Sequence, residues 1–190
     1  MIDSFGRSFY QRRVIEPLLP SLSSFSPITV TFFALISGVL VLPLLAMRYS
    51  MGAFLCLMIS GFLDTLDGSI ARYKNQTTPF GAALDIIGDR MVEVSVVMGL
   101  YFFQPEERAL NCLLMLGSIL FCITSFLVVG IFTQNDTEKG FHYSPGMIER
   151  TETFIFFSIM ILFPVVFSFV SYLFTALVFF TAFVRLWQFR

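Results

Sequence analysis

The feature that most constrains this chain is a series of six apolar stretches, separated by short polar segments. Each stretch is close to the roughly 20 residues that a helix needs to cross a bilayer. A helix is expected because every backbone N–H and C=O inside the hydrocarbon layer must be satisfied within the segment. We therefore predict an all-α integral membrane protein whose six transmembrane helices cover residues 27–47, 51–71, 80–103, 109–132, 153–169 and 171–187.

The composition supports a membrane location, with 56% hydrophobic and 13% charged residues. The net charge of −1 provides no basic surface for nucleic acid. We predict two domains, a juxtamembrane segment (1–25) and a transmembrane domain (26–190). In the first, apolar residues such as Phe9 and Leu18 interleave with Arg12 and Arg13, which is typical of an amphipathic helix lying in the headgroup region. Because the N-terminal residues lack a signal-peptide pattern, we expect no processing there.

The distribution of Lys and Arg predicts the orientation of the spans. With the N-terminus in the cytoplasm, nine of the twelve basic residues lie in cytoplasmic segments and two on the opposite side. Cytoplasmic loops of membrane proteins carry such an excess. We therefore expect a multi-pass protein of the inner (plasma) membrane, with the turn between the second and third spans in the cytoplasm.

Four aspartates lie near that turn, at the ends of two apolar spans. Asp64 and Asp67 are three residues apart on the second span, while Asp85 and Asp89 are four apart on the third, so each pair shares one helix face. A short turn makes the two helices antiparallel neighbours, which allows the four carboxylates to surround one point. Carboxylates inside a membrane protein are costly and usually functional. An all-oxygen set suits Mg²⁺ or Mn²⁺.

Small residues and one arginine share these faces. Gly68, Ala71 and Gly81 leave room for a ligand to approach the backbone, and Arg72 can bind a phosphate through two parallel hydrogen bonds. Metal-binding carboxylates beside a phosphate-binding arginine are typical of a site for phosphoryl transfer.

The segment from residue 64 to residue 89 resembles the signature of the CDP-alcohol phosphotransferase family. The pattern is D-x-x-D-G-x-x-A-R, eight residues, then G-x-x-x-D-x-x-x-D. All of its fixed positions are present, as Asp64, Asp67, Gly68, Ala71, Arg72, Gly81, Asp85 and Asp89.

The resemblance implies an enzyme that transfers a phosphatidyl group from CDP-diacylglycerol to a small alcohol and releases CMP. It implies two Mg²⁺ or Mn²⁺ ions held by the four aspartates, with Asp89 also acting as the general base. It further implies a homodimer, and a donor pocket formed by the following residues: Asp64, Gly68, Ala71, Arg72, Gly81 and, at the start of the first span, Thr31.

The sequence constrains the identity of the acceptor alcohol less than it constrains the donor. Arg150 and Lys139, in the long polar segment before the fifth span, are the candidate acceptor-binding residues. Residues 125–132 carry no basic side chain, unlike the inositol-phosphate enzymes that this family includes, which favours glycerol 3-phosphate. The sequence of residues Ile86–Arg90 differs from the sequence that glycerophosphate enzymes usually have at these positions. Serine, inositol and inositol phosphate therefore stay as alternative acceptors.

An ion-coupled transporter is the alternative from another functional class, because acidic residues within spans also mark ion pathways. The acids here cluster near one membrane surface, and the second half of the chain has no matching set. Both features favour the enzyme.

Overall fold

The computed structural model describes residues 25–133 and 150–190, together with Arg13, Ile15, Pro17 and Leu19. Most of these residues are helical, and no β-strand occurs among them, which confirms the all-α prediction. In chain order the elements are α1 Pro27–Val39, α2 Val41–Ala46, α3 Ser50–Tyr73, α4 Pro79–Phe103, α5 Pro105–Thr133, α6 Arg150–Leu162, a 3₁₀ turn Pro164–Val166, and α7 Phe167–Gln188. The described residues divide into two compact units, one ending at Glu106 and the other beginning at Glu107.

Four helical stretches within the described residues are long and apolar enough to cross a membrane. They are Pro27–Ala46, Ser50–Tyr73, Pro105–Phe132 and Pro164–Gln188. The 25 residues of α4 are also long enough by the rise per residue, but α4 carries several charged side chains. The chain is therefore a helical membrane protein that crosses the bilayer several times. The number of six spans and the separate N-terminal interfacial helix stay predictions.

In the first unit, α1 and α2 together form the first apolar span, and Leu40 separates them. Pro43 explains the interruption, because it has no N–H and its ring crowds the carbonyl of Val39, where α1 ends. Gly38 allows a close approach between helices: a Cβ atom there would clash with the side chain of Val92 on α4. The backbone of α1 can therefore pack directly against α4.

Two N-terminal side chains belong to the core of the first unit. Ile15 and Leu19, four residues apart, are buried in a cluster with Val30 of α1 and with Leu66 and Ile70 of α3. The face of α3 that carries Leu66 and Ile70 is opposite the face that carries Asp64, because the helical repeat is 3.6 residues. Ile15 and Leu19 thus pack behind the acidic face of α3.

The second unit corrects one predicted boundary. The sequence predicts a fifth span over residues 153–169 and a sixth over residues 171–187, with the division between them near Pro164 to Ser171. Instead, α6 ends at Leu162, and α7 begins at Phe167 after the 3₁₀ turn. Pro164 is the physical reason, because proline disfavours a helical conformation of the residue before it, here Phe163. Phe163 accordingly has a non-helical ψ of 75°.

Polar side chains inside the second unit have well-defined partners. Asn111 donates a hydrogen bond to Ser171 across 2.8 Å, joining α5 to α7. The guanidinium of Arg108 lies 4.1 Å from the centre of the Phe167 ring, a cation–π contact. Arg185 donates to the carbonyl of Cys122 at 3.1 Å. These contacts hold α7 against α5.

Candidate active site

A tight turn between α3 and α4 brings the two acidic faces together. Asn75 turns the chain with a φ of 54°, a left-handed conformation that asparagine tolerates better than most residues. Thr78 then starts α4, because its Oγ1 accepts a 3.0 Å hydrogen bond from the N–H of Gly81, and Pro79 occupies the first helical position. The cap fixes where α4 begins and therefore where Asp85 lies.

Three of the four predicted metal ligands converge. Asp64, Asp67 and Asp85 each offer a carboxylate oxygen, and the three oxygens lie within 4.8 Å of one another. Asp67 is 6% exposed, while Asp64 and Asp85 are partly buried. Negative charges at this spacing repel one another, and a divalent cation bound between them would replace that repulsion with attraction. An oxygen-only set with no histidine or cysteine fits Mg²⁺ or Mn²⁺ better than Zn²⁺.

The fourth aspartate lies one helical turn farther along α4 and is not a member of this group of three. Its Oδ2 lies 4.0 Å from Nη2 of Arg90, and the same guanidinium contacts Glu93 at 2.7 Å. The roles of Asp89 as base and as metal ligand stay predictions. The spacing of three residues on one helix predicts an ion pair of Arg90 with Glu93, and this contact confirms it.

Arg72 lies on the acidic face of α3, where the sequence places a phosphate-binding group. Its Nη2 donates a 3.2 Å hydrogen bond to the hydroxyl of Ser69, which in turn donates to the carbonyl of Thr65. A Cβ atom on Gly68 would lie 3.4 Å from Nη1 of Arg72, so the guanidinium crosses directly over this glycine. Ser69 was missed by the sequence reasoning, because nothing in its spacing distinguishes it from other helical serines.

The other predicted donor residues lie in the same unit. Gly81 is in the first turn of α4, and a Cβ atom there would come within 3.2 Å of Thr78 Oγ1, so the cap also favours a glycine. Ala71 is partly buried. The hydroxyl of Thr31 donates to the carbonyl of Pro27 at 3.1 Å, a contact within α1.

The two predicted acceptor residues lie elsewhere in the chain. Arg150 begins α6 in the second unit, with its guanidinium 5.8 Å from the centre of the Phe154 ring. Lys139 lies outside the described residues. Their roles stay predictions.

The hairpin thus forms a divalent-cation site of the class that handles phosphate esters, inside a helical membrane protein. A family model described as CDP-alcohol phosphatidyltransferase matches residues 25–187. The chain belongs to the CDP-alcohol phosphatidyltransferase family, so it is a membrane transferase that depends on a divalent cation. This membership disfavours the transporter alternative.

Two curated relatives are similar over most of the chain. The inner membrane protein YnjF of Escherichia coli is 32% identical over 168 residues, which cover 85% of this chain and 80% of that protein. A phosphatidylinositol phosphate synthase of Mycobacteroides abscessus is 27% identical over 146 residues, which cover 75% of this chain and 66% of that protein.

Crystal structures of the phosphatidylinositol phosphate synthase of Mycobacterium tuberculosis share the fold. The structure with CDP-DAG bound has a TM-score of 0.76 at 23% identity, and the comparison covers 93% of this chain and 94% of the other. The structure in complex with manganese and citrate has a TM-score of 0.77 at 21% identity, with 93% and 88% covered.

Proposed function

We propose that this protein transfers a phosphatidyl group from CDP-diacylglycerol to the hydroxyl of a small alcohol and releases CMP. The observation that carries the proposal is the convergence of Asp64, Asp67 and Asp85 within 4.8 Å in a chain of this family. The M. tuberculosis protein of the same fold has been crystallised with CDP-DAG, which supports this donor.

The cluster would hold divalent cations, and we propose two of them, with Asp89 completing the ligand set. When bound, they would neutralise the pyrophosphate of the donor and the departing phosphate of CMP. We propose that Arg72 binds a donor phosphate, because its guanidinium lies on the face of α3 that carries Asp64 and Gly68. Gly68, Ala71, Gly81 and Thr31 are the proposed lining of the nucleotide pocket.

Asp89 is the proposed general base. It takes the proton of the acceptor hydroxyl as the acceptor oxygen bonds to the phosphorus of the phosphatidyl group. The bond between that phosphorus and the bridging oxygen breaks, and CMP leaves with the bridging oxygen. The products are the new phospholipid and CMP, and the proton stays on Asp89 until it passes to solvent.

We propose a phosphorylated polyol as the acceptor, bound in part by Arg150 and Lys139. Glycerol 3-phosphate is the acceptor expected from the sequence. The similarity to named phosphatidylinositol phosphate synthases supports inositol phosphate instead. Both molecules present a hydroxyl and a phosphate, which arginine and lysine recognise.

A panel of acceptors tests the reaction and separates the acceptors. Purified protein in detergent receives CDP-diacylglycerol, Mn²⁺ or Mg²⁺, and in turn glycerol 3-phosphate, inositol phosphate, inositol, serine or glycerol. We expect CMP release that depends on one acceptor, with a lipid product of matching mass. Glu106→Gln, an exposed acid at the start of α5, serves as the matched control with unchanged rate. No CMP release with any acceptor, and no exchange of labelled CMP into the donor, would contradict the proposal.

We also propose that the N-terminus and the site face the cytoplasm and that the protein is a homodimer. The excess of Lys and Arg on one side supports the orientation. A fluorescent protein fused after Asn75 is expected to fluoresce, whereas alkaline phosphatase at the same point should be inactive. The mass of the detergent-solubilised protein, measured by light scattering, tests the dimer.

A further inference from the structure

Beyond the metal cluster, α4 carries a second charged group formed by Asp89, Arg90 and Glu93. Nη1 of Arg90 lies 2.7 Å from Oε2 of Glu93, an ion pair between residues three apart on one helix. Nη2 of the same guanidinium lies 4.0 Å from Oδ2 of Asp89. One arginine therefore bridges a buried glutamate and the proposed base.

The burial of Glu93 makes a purely stabilising role a poor explanation for its ion pair with Arg90. Glu93 is 9% exposed, and it lies on a helix that is otherwise strongly apolar beyond this point. The desolvation of a buried ion pair can exceed the attraction between its charges, and an apolar replacement is often at least as stable. An exposed helix pair at this spacing would contribute little to stability.

Glu93 and Asp89, the two carboxylates that Arg90 contacts, differ in their surroundings. Glu93, being buried, has little rotational freedom, and its 2.7 Å contact fixes the long side chain of Arg90. Asp89 is about 20% exposed and lies at the more accessible end. A fixed guanidinium beside a carboxylate restricts the rotamers of that carboxylate, and a base must be held within hydrogen-bond reach of its proton.

We propose that Arg90 and Glu93 are positioning residues for Asp89: Glu93 orients the guanidinium of Arg90, which holds the carboxylate of Asp89 in one conformation. The inference rests on the proposed function, in which Asp89 is the base. Asp64, Asp67 and Asp85 form a separate cluster, so we expect the bridge to affect catalysis more than binding of the donor.

Four variants test the bridge: Glu93→Gln, Arg90→Gln, the double variant, and Glu93→Asp. CMP release gives kcat and the KM of each substrate, and Mn²⁺-dependent thermal stabilisation in detergent reports on the metal cluster. We expect Glu93→Gln and Arg90→Gln each to lower kcat by roughly 10-fold to 100-fold, the range for residues that orient a functional ligand. The KM for CDP-diacylglycerol should be unchanged, because the donor site is intact.

The double variant provides the decisive comparison. If Glu93 acts only through Arg90, the double variant should be no slower than Arg90→Gln, whereas independent roles would multiply the two losses. Glu93→Asp keeps a carboxylate and should recover part of the rate. Glu106→Gln is again the matched control.

Several results would overturn the inference. Single variants with the rate of the wild type would do so, as would multiplicative losses in the double variant. A variant that loses both the thermal stabilisation by Mn²⁺ and the kcat would show that Arg90 and Glu93 only maintain the structure. An inactive wild type would overturn the proposed function and the positioning roles with it, while an active wild type with unaffected variants would overturn only the positioning roles.

Discussion

The aspartate cluster of the first unit and the polar side chains of the second unit have opposite surroundings. In the unit that ends at Glu106, three carboxylates of the same sign lie within 4.8 Å. In the unit that begins at Glu107, three polar side chains contact complementary groups. The guanidinium of Arg108 contacts the Phe167 ring, Asn111 donates a hydrogen bond to Ser171, and Arg185 donates one to a carbonyl. Complementary contacts stabilise a fold, whereas like charges destabilise it unless a ligand compensates. The contrast distinguishes a site from a scaffold.

Replacing a carboxylate of the cluster should have the largest effect. We expect Asp64→Asn, Asp67→Asn and Asp85→Asn each to lower CMP release by roughly 10³-fold or more, because a metal supplies several kcal/mol of charge stabilisation. The same changes should raise the unfolding temperature of the metal-free protein, because one repelling charge is removed, and should reduce the stabilisation by Mn²⁺. A metal-free variant that is less stable than the wild type would show that the cluster is structural.

The proposed base should behave differently from the cluster. We expect Asp89→Asn to lower kcat by roughly 10²-fold to 10⁴-fold, the contribution of a positioned base. Binding of CDP-diacylglycerol in the presence of Mn²⁺, measured by equilibrium titration, should be largely retained. Full activity of the variant would remove the base assignment, and loss of donor binding would place Asp89 among the required metal ligands.

A polar contact of the second unit should affect stability without affecting catalysis. Ser171→Ala removes the acceptor of the Asn111 hydrogen bond, and interhelical hydrogen bonds in membrane proteins contribute about 0.6–2 kcal/mol. We expect a lower unfolding temperature, measured in detergent, with unchanged kcat and unchanged Mn²⁺ stabilisation. Ser168→Ala, on the same helix, is a control for the serine substitution itself. A large change in kcat would show that the division between site and scaffold is wrong.

The sequence predicts the site better than it predicts the outlines of the helices. The spacings of 64 to 67 and 85 to 89 place carboxylates on defined helix faces, because the helical repeat is fixed. α6 ends before the predicted residue 169, because polar residues that mark a boundary are scarce between 153 and 187, whereas Pro164 disfavours a helical conformation of Phe163. The contact of Arg72 with Ser69 required coordinates, since the rotamer of a long side chain is not determined by its spacing.

The dipeptide Thr78-Pro79 predicts an N-cap for α4, but the effect of this cap on the site is visible only in the structure of the hairpin. We expect Thr78→Ala to lower stability by about 1 kcal/mol, the usual contribution of an N-cap. Unfolding in detergent should shift by about 2–4 °C for a chain of this length. Thr78→Ser keeps the hydroxyl that accepts from Gly81 and is the matched control.

The cap also tests how far the site depends on local structure. Because the first turn of α4 leads directly to Asp85, a frayed turn should weaken the geometry of the cluster, so Thr78→Ala should need more Mn²⁺ for half-maximal stabilisation than Thr78→Ser does. Equal Mn²⁺ requirements in the two variants would mean that packing of α4 on α1 and α3 alone holds Asp85 in place. The like-charged cluster would then be assembled by the membrane helices themselves, with the turn serving only to connect them.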